Sequence, residues 1–500
     1  MQIKLLVFSL FIIVSSCGEK LFFSVEEGVS KELASQRKRN ISFVSYDMKF
    51  SIPEQKDQPV TGSTKIGVKL KSIEDPLVLD FNPEIESAVK SFKVNGDTEQ
   101  FEFENGHLVI TPALLTDGYN EIEIGFISGD QSLNRSEDFL YTLFVPDRAS
   151  TAFPCFDQPD LKAKYSLQLD IPSQWLAVSN APVLSEKTTG SIKSMVFEES
   201  DLISTYLFSF VVGKFEAISK SLDGISMTMF HRETDKLKLV SNVDTIFKQH
   251  ITALRWLEKY TGIDYPFKKF DFVLIPGFQY GGMEHTGAIQ YRDSKLLLEE
   301  SATLNDRISR SMLIAHETAH MWFGNLVTME WFDDVWMKEV FANFMASKIT
   351  EPNFPNINHK LNFLFNHYPE AYAVDRTEGA NAIRQNLDNL KNAGSMYGAI
   401  IYHKAPIVMR QLEELMGEYA FRDGLREYLV NFSGKNATWN DLVEIMDVKT
   451  KVDLKKWSQV WINEPGMPLI DMEFEDHNGE GQFDIIQYDL FGKNRVWPQK

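Results

Sequence analysis

From Ile41 to about Glu216 the chain runs in short stretches where apolar and polar residues alternate, among them FSIPE, STKIGVKLKSI, NEIEIGFIS and YSLQLDIP, each broken by Gly, Pro, Asn or Asp. A period of two turns one face of a pleated strand to a core and the other to solvent, so this region is expected to form a β-rich domain over residues 43–220. From about Ile225 the period lengthens. TIFKQHITALRWLEKYTG repeats its apolar positions at helical spacing and stops at Gly262, while KKFDFVLIP, residues 268–276, reads as a buried strand. Helical signals continue to about residue 463, giving a second, mainly helical α+β domain over 221–463. The polar, charged stretch 18–42, with SKELASQRKRN, reads as a linker.

Within the second domain, His316, Glu317 and His320 form an HExxH string. Residues four apart on a helix lie on one face, so the two imidazoles can point at a single ion. A catalytic zinc usually takes three protein ligands and keeps a further position for water. Glu339 is the best candidate for the third. A first helix is expected from about Asn305 or Asp306 to Gly324, and Asp333 and Asp334 suit the start of a second one that carries Glu339.

The longer string HETAHMWFGNLVTMEWFDDVWMKEVFA is similar to the zinc signature of the aminopeptidase N family, the gluzincins whose third ligand is a glutamate on the next helix. Eighteen residues separate His320 from Glu339, the spacing of that family. Lys338 and Val340 stand where Asn and Gly are commoner. FPCFDQPDLKAKYSL, residues 153–167, resembles a stretch of the family's N-terminal domain. Leu143 and Val145 occupy positions where relatives often carry a Gln-x-Glu pair that holds the substrate amine. Gly281, Gly282, Met283 and Glu284 resemble the exopeptidase motif, with His285 where Asn is usual; alone, such a string is more often a turn than a site. Tyr402, in Tyr-His-Lys-Ala, matches a Tyr-Glu-Lys-Gly motif whose tyrosine stabilises the oxyanion. Core packing is an equal expectation for Tyr397, and His403 is expected to face solvent.

The resemblance implies a saddle-like N-terminal β domain and a thermolysin-like catalytic domain. The activity it implies is a zinc aminopeptidase with one ion on His316, His320 and Glu339, acting on peptides with a free N-terminus. Glu317 is then the general base, Tyr402 the oxyanion donor and Glu284 the anchor for the substrate's amine. Asp334 is expected either to orient a ligand or to cap its helix. Residues 464–500 match the start of a third, β-sandwich domain but are too few to complete one, and the family's large helical C-terminal domain does not follow. Two other readings stay open at this point. One is a zinc hydrolase of other specificity, such as an epoxide hydrolase, and the other is a lipid-anchored peptide-binding protein without turnover.

Composition narrows the partners and the compartment. The net charge of −19 argues against nucleic acid. Cys17 and Cys155 are the two cysteines, so a disulfide framework and a cysteine-rich metal site are both excluded; Cys155 reads as a packed small apolar residue. Lys4, the apolar run Leu5–Val14 and Val-Ser-Ser-Cys at 14–17 form an export signal too short to span a bilayer, which needs roughly 20 residues. The order resembles a bacterial lipobox, implying cleavage before Cys17, lipidation of that residue and attachment outside the cytoplasmic membrane. Oligomeric state is not readable.

Overall fold

The computed structural model describes residues 25–85, 87–477 and 480–499, so the expected export signal and Cys17 lie outside the described residues. No described helix is long and apolar enough to cross a membrane.

The first domain is built on an eight-stranded sheet in which Ile41–Ser51 lies between Thr61–Leu70, antiparallel, and Lys164–Pro172, parallel. The alternation read in the sequence is the alternation observed. Val44, Tyr46, Met48 and Phe50 of the central strand turn inward, as do Ile122, Ile124 and Phe126 of Gly118–Ile127. Each fully buried side chain of this size contributes about 1.5–3 kcal/mol relative to exposure. A four-stranded and a three-stranded sheet complete the domain.

The second domain opens on a five-stranded sheet, from Glu216–Leu222 through Ile225–His231, Phe272–Ile275 and Ile289–Arg292 to the edge strand Gly282–Met283. The expected boundary at 220 falls inside the first of these strands. Asp223 and Gly224, both at positive φ, form a hairpin turn within this sheet and not a domain junction. The long helix Lys236–Thr261 ends at Gly262 as expected but begins earlier than its amphipathic signal, with Asp235 as N-cap. Leu237 and Val240 of its first turns are exposed and so hide the period.

Residues 18–42 are not simply a linker. Lys31–Asn40 is a helix capped by Ser30, and its Arg37 is buried, with one guanidinium nitrogen 2.9 Å and another 2.5 Å from the Asp80 carboxylate. His107 Nδ1 lies 2.8 Å from the same carboxylate, which also accepts the Asp157 N–H at 2.7 Å. A basic residue that pairs with a carboxylate buried 43 positions away is indistinguishable, in sequence, from one that is solvated.

The terminal stretch forms one antiparallel hairpin, Pro468–His477 with Glu480–Asp489, and then returns to the second domain. Trp497 is buried with its ring 4.9 Å from Trp461, and Trp461 Nε1–H donates to Pro498 O. The stretch is therefore docked along its return path while the hairpin exposes Ile470, Met472, Phe474, Phe483 and Ile485.

Candidate active site

Two helices bring the predicted ligands together. The first, Leu304–Ala319, starts at Thr303, whose hydroxyl and the Asp306 carboxylate form a capping box. This places the N-cap two or three residues before the expected one, with Asp306 at N3. The helix ends at His320, and Gly324 belongs to the following turn. The second helix, Val335–Thr350, is buried on nearly all sides and carries Lys338, Glu339 and Asn343. Asp334 neither caps it by side chain nor touches a ligand. Its carboxylate takes Arg384 Nε at 2.7 Å and the Trp439 N–H at 3.2 Å, which ties the helix start to two later segments.

His316 Nε2 and His320 Nε2 lie 3.0 Å apart, with Glu339 Oε2 3.6 Å from the first and 4.0 Å from the second. His320 Nδ1 is 3.1 Å from Phe323 O, a carbonyl that can only accept, and His316 Nδ1 is 3.0 Å from Asn343 Oδ1. Both Nδ1 atoms are thus the protonated ones, and in the neutral imidazoles two bare Nε2 lone pairs face each other beside a carboxylate. This donor set fits one divalent cation, and its two imidazoles and one carboxylate are the chemistry of a catalytic zinc site.

A cavity of about 600 Å³ opens over these groups, lined by the expected metal ligands and by each residue given a catalytic or substrate-binding role in the sequence: Gly281, Gly282, Met283, Glu284, His316, Glu317, His320, Glu339 and Tyr402. Tyr397 lines it too, its ring stacked 6.3 Å from that of Tyr402, so it is a wall of the cavity as well as a partly buried side chain packed on the core. Burial pushes both phenols well up, which keeps them protonated at neutral pH. Gly282 leaves room that the sequence did not show to be needed: a Cβ there would meet the Glu317 carboxylate, which would have to shift. Glu317 is buried, and its Oε2 has no partner among the described residues. Burial pushes its carboxyl up, and the Glu284 and Glu339 charges add to this against the pull of His316, to about 8.

Glu284 carries an interaction that the motif did not signal. Lys338 Nζ lies 2.5 Å from Glu284 Oε1 and 3.1 Å from Glu339 Oε1, with all three side chains almost wholly buried. Burial works to raise the Glu284 carboxyl, but the Lys338 ammonium outweighs it and holds the group ionised. Of the two positions aligned with the missing Gln-x-Glu pair, Val145 faces the cavity and Leu143 is core. His403 does not face solvent: it is half-buried, its ring 5.3 Å from His367. Asn343, Tyr280, Met312 and Leu313 also line the cavity and carried no motif signal.

Comparison with known proteins covers both domains. The Peptidase M1 N-terminal domain matches residues 43–207 and the Peptidase family M1 domain matches residues 246–461. The chain is 30% identical over 424 residues to a probable aminopeptidase 1 of Sulfurisphaera tokodaii, covering 83% of this chain and 52% of that protein. It is 34% identical over 342 residues to a puromycin-sensitive aminopeptidase of Caenorhabditis elegans, covering 67% of this chain and 36% of that protein. A leucyl aminopeptidase of Saccharolobus solfataricus is 29% identical over 412 residues, 81% of this chain and 51% of that protein. The chain spans about half the length, or less, of these curated relatives. With both domain matches and the His316, His320 and Glu339 geometry in agreement, the chain belongs to peptidase family M1.

Proposed function

We propose that this chain is a zinc-dependent aminopeptidase that hydrolyses the first peptide bond of substrates with a free N-terminus. The observation that carries the reading is the convergence, in one cavity, of the two histidines and Glu339 with the Glu317 carboxylate, unpartnered at Oε2 among the described residues, and the carboxylate of Glu284 just past the edge strand. His316, His320 and Glu339 would hold zinc, which supplies a Lewis acid that acidifies the attacking water and polarises the scissile carbonyl. Glu317, whose buried Oε2 is free of any partner among the described residues, would take the proton of the attacking water as its carboxylate and return it to the leaving amine. Tyr402, kept protonated, donates to the oxygen on which charge develops, a role typically worth about 3 to 4 kcal/mol. Glu284 accepts the substrate's α-ammonium and so restricts cleavage to the first bond. The test is hydrolysis of aminoacyl anilides with zinc counted per chain. Glu317→Gln is expected to keep about one zinc and lose 10²–10⁴-fold in turnover, whereas His316→Ala loses the metal. An active, metal-free protein would refute the reading.

We also infer export and lipid attachment at Cys17, supported by the order of Lys4, the apolar run and Val-Ser-Ser-Cys. Replacing Cys17 with Ser is expected to move the protein from the membrane to the soluble fraction; unchanged fractionation sinks the inference.

A further inference from the structure

Tyr402 sits on an unusual piece of backbone. Residues Ile400–Lys404 form a single π-helical turn, closed by the Ala405 N–H bonding to Ile400 O, before the regular helix Ala405–Met416 begins. A π-turn is wider and less favourable than an α-turn, and it persists where the surroundings hold it. Lys404 is the last residue of this turn. It lies two residues beyond Tyr402, does not line the cavity, and is almost wholly buried.

Lys404 Nζ donates to Asp375 Oδ1 at 2.8 Å and to Gly466 O at 2.8 Å, and the Gly466 N–H donates to the same Asp375 oxygen at 3.1 Å. Three segments distant in sequence therefore close one ring: the last residue of helix His359–Asp375, the π-turn, and the stretch entering the terminal hairpin. Trp497, from the return path, places its ring 5.7 Å from Lys404 Nζ. Gly466 has φ +97°, and a Cβ there would collide with the Phe491 ring, so no other residue can deliver its N–H and carbonyl to the pair without displacement. A buried ion pair is a poor source of stability compared with apolar packing, because both charges lose their hydration. What it can supply is a single geometry, and the part of the molecule whose geometry it sets is the turn that carries Tyr402.

We propose that Lys404, Asp375 and Gly466 are positioning residues for Tyr402, through which the stretch entering the terminal hairpin takes part in stabilising the transition state without reaching the cavity. The proposal rests on the aminopeptidase reading for its kinetic consequence but not for its structural one. Tyr402 must present its hydroxyl to within a few tenths of an ångström to act as an oxyanion donor. Displacements of about 1 Å from substitutions far from the chemistry cost around 10²-fold in rate. Releasing the ring should therefore slow turnover while leaving metal and substrate affinity in place.

The test is a double-mutant cycle on the full chain. Lys404→Met is expected to lower kcat by about 10- to 100-fold, with KM changed less than about 3-fold and zinc content unchanged. In a Tyr402→Phe background the same change should add less than about 2-fold, because the group it positions has gone. Asp375→Asn keeps an acceptor and should give a smaller loss, and Gly466→Ala should reproduce the Lys404→Met result from outside the domain core. These two carry the cycle if Lys404→Met does not fold. Independently of turnover, 3-fluorotyrosine at position 402 should show a shifted or broadened ¹⁹F resonance on Lys404→Met, while the same label at exposed Tyr119 stays put. Equal losses in both backgrounds, or an unmoved resonance at 402, overturn the proposal. A wild-type chain that hydrolyses no anilide refutes the aminopeptidase reading instead, and the ¹⁹F measurement still decides this one.

Discussion

Lys338 Nζ bridges Glu284 Oε1 at 2.5 Å and Glu339 Oε1 at 3.1 Å, so the carboxylate assigned to the substrate's amine already has a cation beside it. The residue directly preceding Glu339 thereby reaches the carboxylate proposed to anchor the amine. Val145, which also lines the cavity, offers no charge, so Glu284 and Lys338 are the charged pair beside the edge strand there.

Lys338→Asn removes the competing ammonium and leaves Glu284 free to accept a substrate's. We expect the kcat/KM preference for a free amine over its N-acetylated counterpart to rise by about 10-fold or more. Loss of one partner of a buried pair also costs about 3–5 kcal/mol of stability. Parallel assays of the two substrate classes, with a denaturant titration, check both. A preference that stays the same or falls would mean that Lys338 does not shield Glu284.

Gly282→Ala places a methyl where the Glu317 carboxylate now lies. The flexible end of Glu317 must move, and a displacement of about 1 Å at a proton-transfer group is expected to cost around 10²-fold in kcat. Zinc content should not change, because no metal ligand meets the new atom. Gly281→Ala, whose Cβ would lie 3.3 Å from Leu313 Cδ1, is the control and should be much milder. Equal effects of the two would remove the special role of Gly282.

Acid should release the helix Lys31–Asn40. Burial works to raise the Asp80 carboxyl, but Arg37 and His107 outweigh it and hold the group well below the usual carboxylate range. The unfolded carboxyl titrates near ~3.9, so the stabilisation is fully present above that pH and is lost as pH falls towards the folded value. Denaturant midpoints should therefore drop steeply below about pH 4, and Arg37→Met, which removes the main partner, should flatten that slope. A wild-type slope that Arg37→Met leaves unchanged would place the acid sensitivity elsewhere.

Trp497→Ala removes a fully buried ring from the contact with Trp461 and Lys404. Substitutions of this kind cost about 3–5 kcal/mol. Limited proteolysis of the variant should cut between residues 464 and 499 faster than in the parent, with the helix pair of the site intact. Equal cutting rates would show that the return path is not what docks this stretch.

The alternating strands and the His316, Glu317, His320 and Glu339 set were legible in the sequence because each rests on local periodicity, short spacing or, for Glu339, the family's helix-to-helix interval. Period two survives in Ile41–Ser51 because the register and the buried face agree over the whole strand. The HExxH spacing works for the same reason, since one helical turn determines where both imidazoles point. The start of the second domain was less legible, because a hairpin turn and a domain junction use the same residues. Other features were decided only by the fold. Arg37 looks like a solvated linker charge, and Lys338 like a mere replacement beside a ligand, until strands and helices from distant parts of the chain bring Asp80 and Glu284 against them. Tyr402 was visible as a motif, but the ring of Lys404, Asp375 and Gly466 behind it was not, because its members are 29, 62 and 91 residues apart. Local sequence encodes which face a residue takes on its own element. Which charge it meets there depends on how the elements pack, and in this protein that packing decides whether a basic side chain is solvated or holds part of the site.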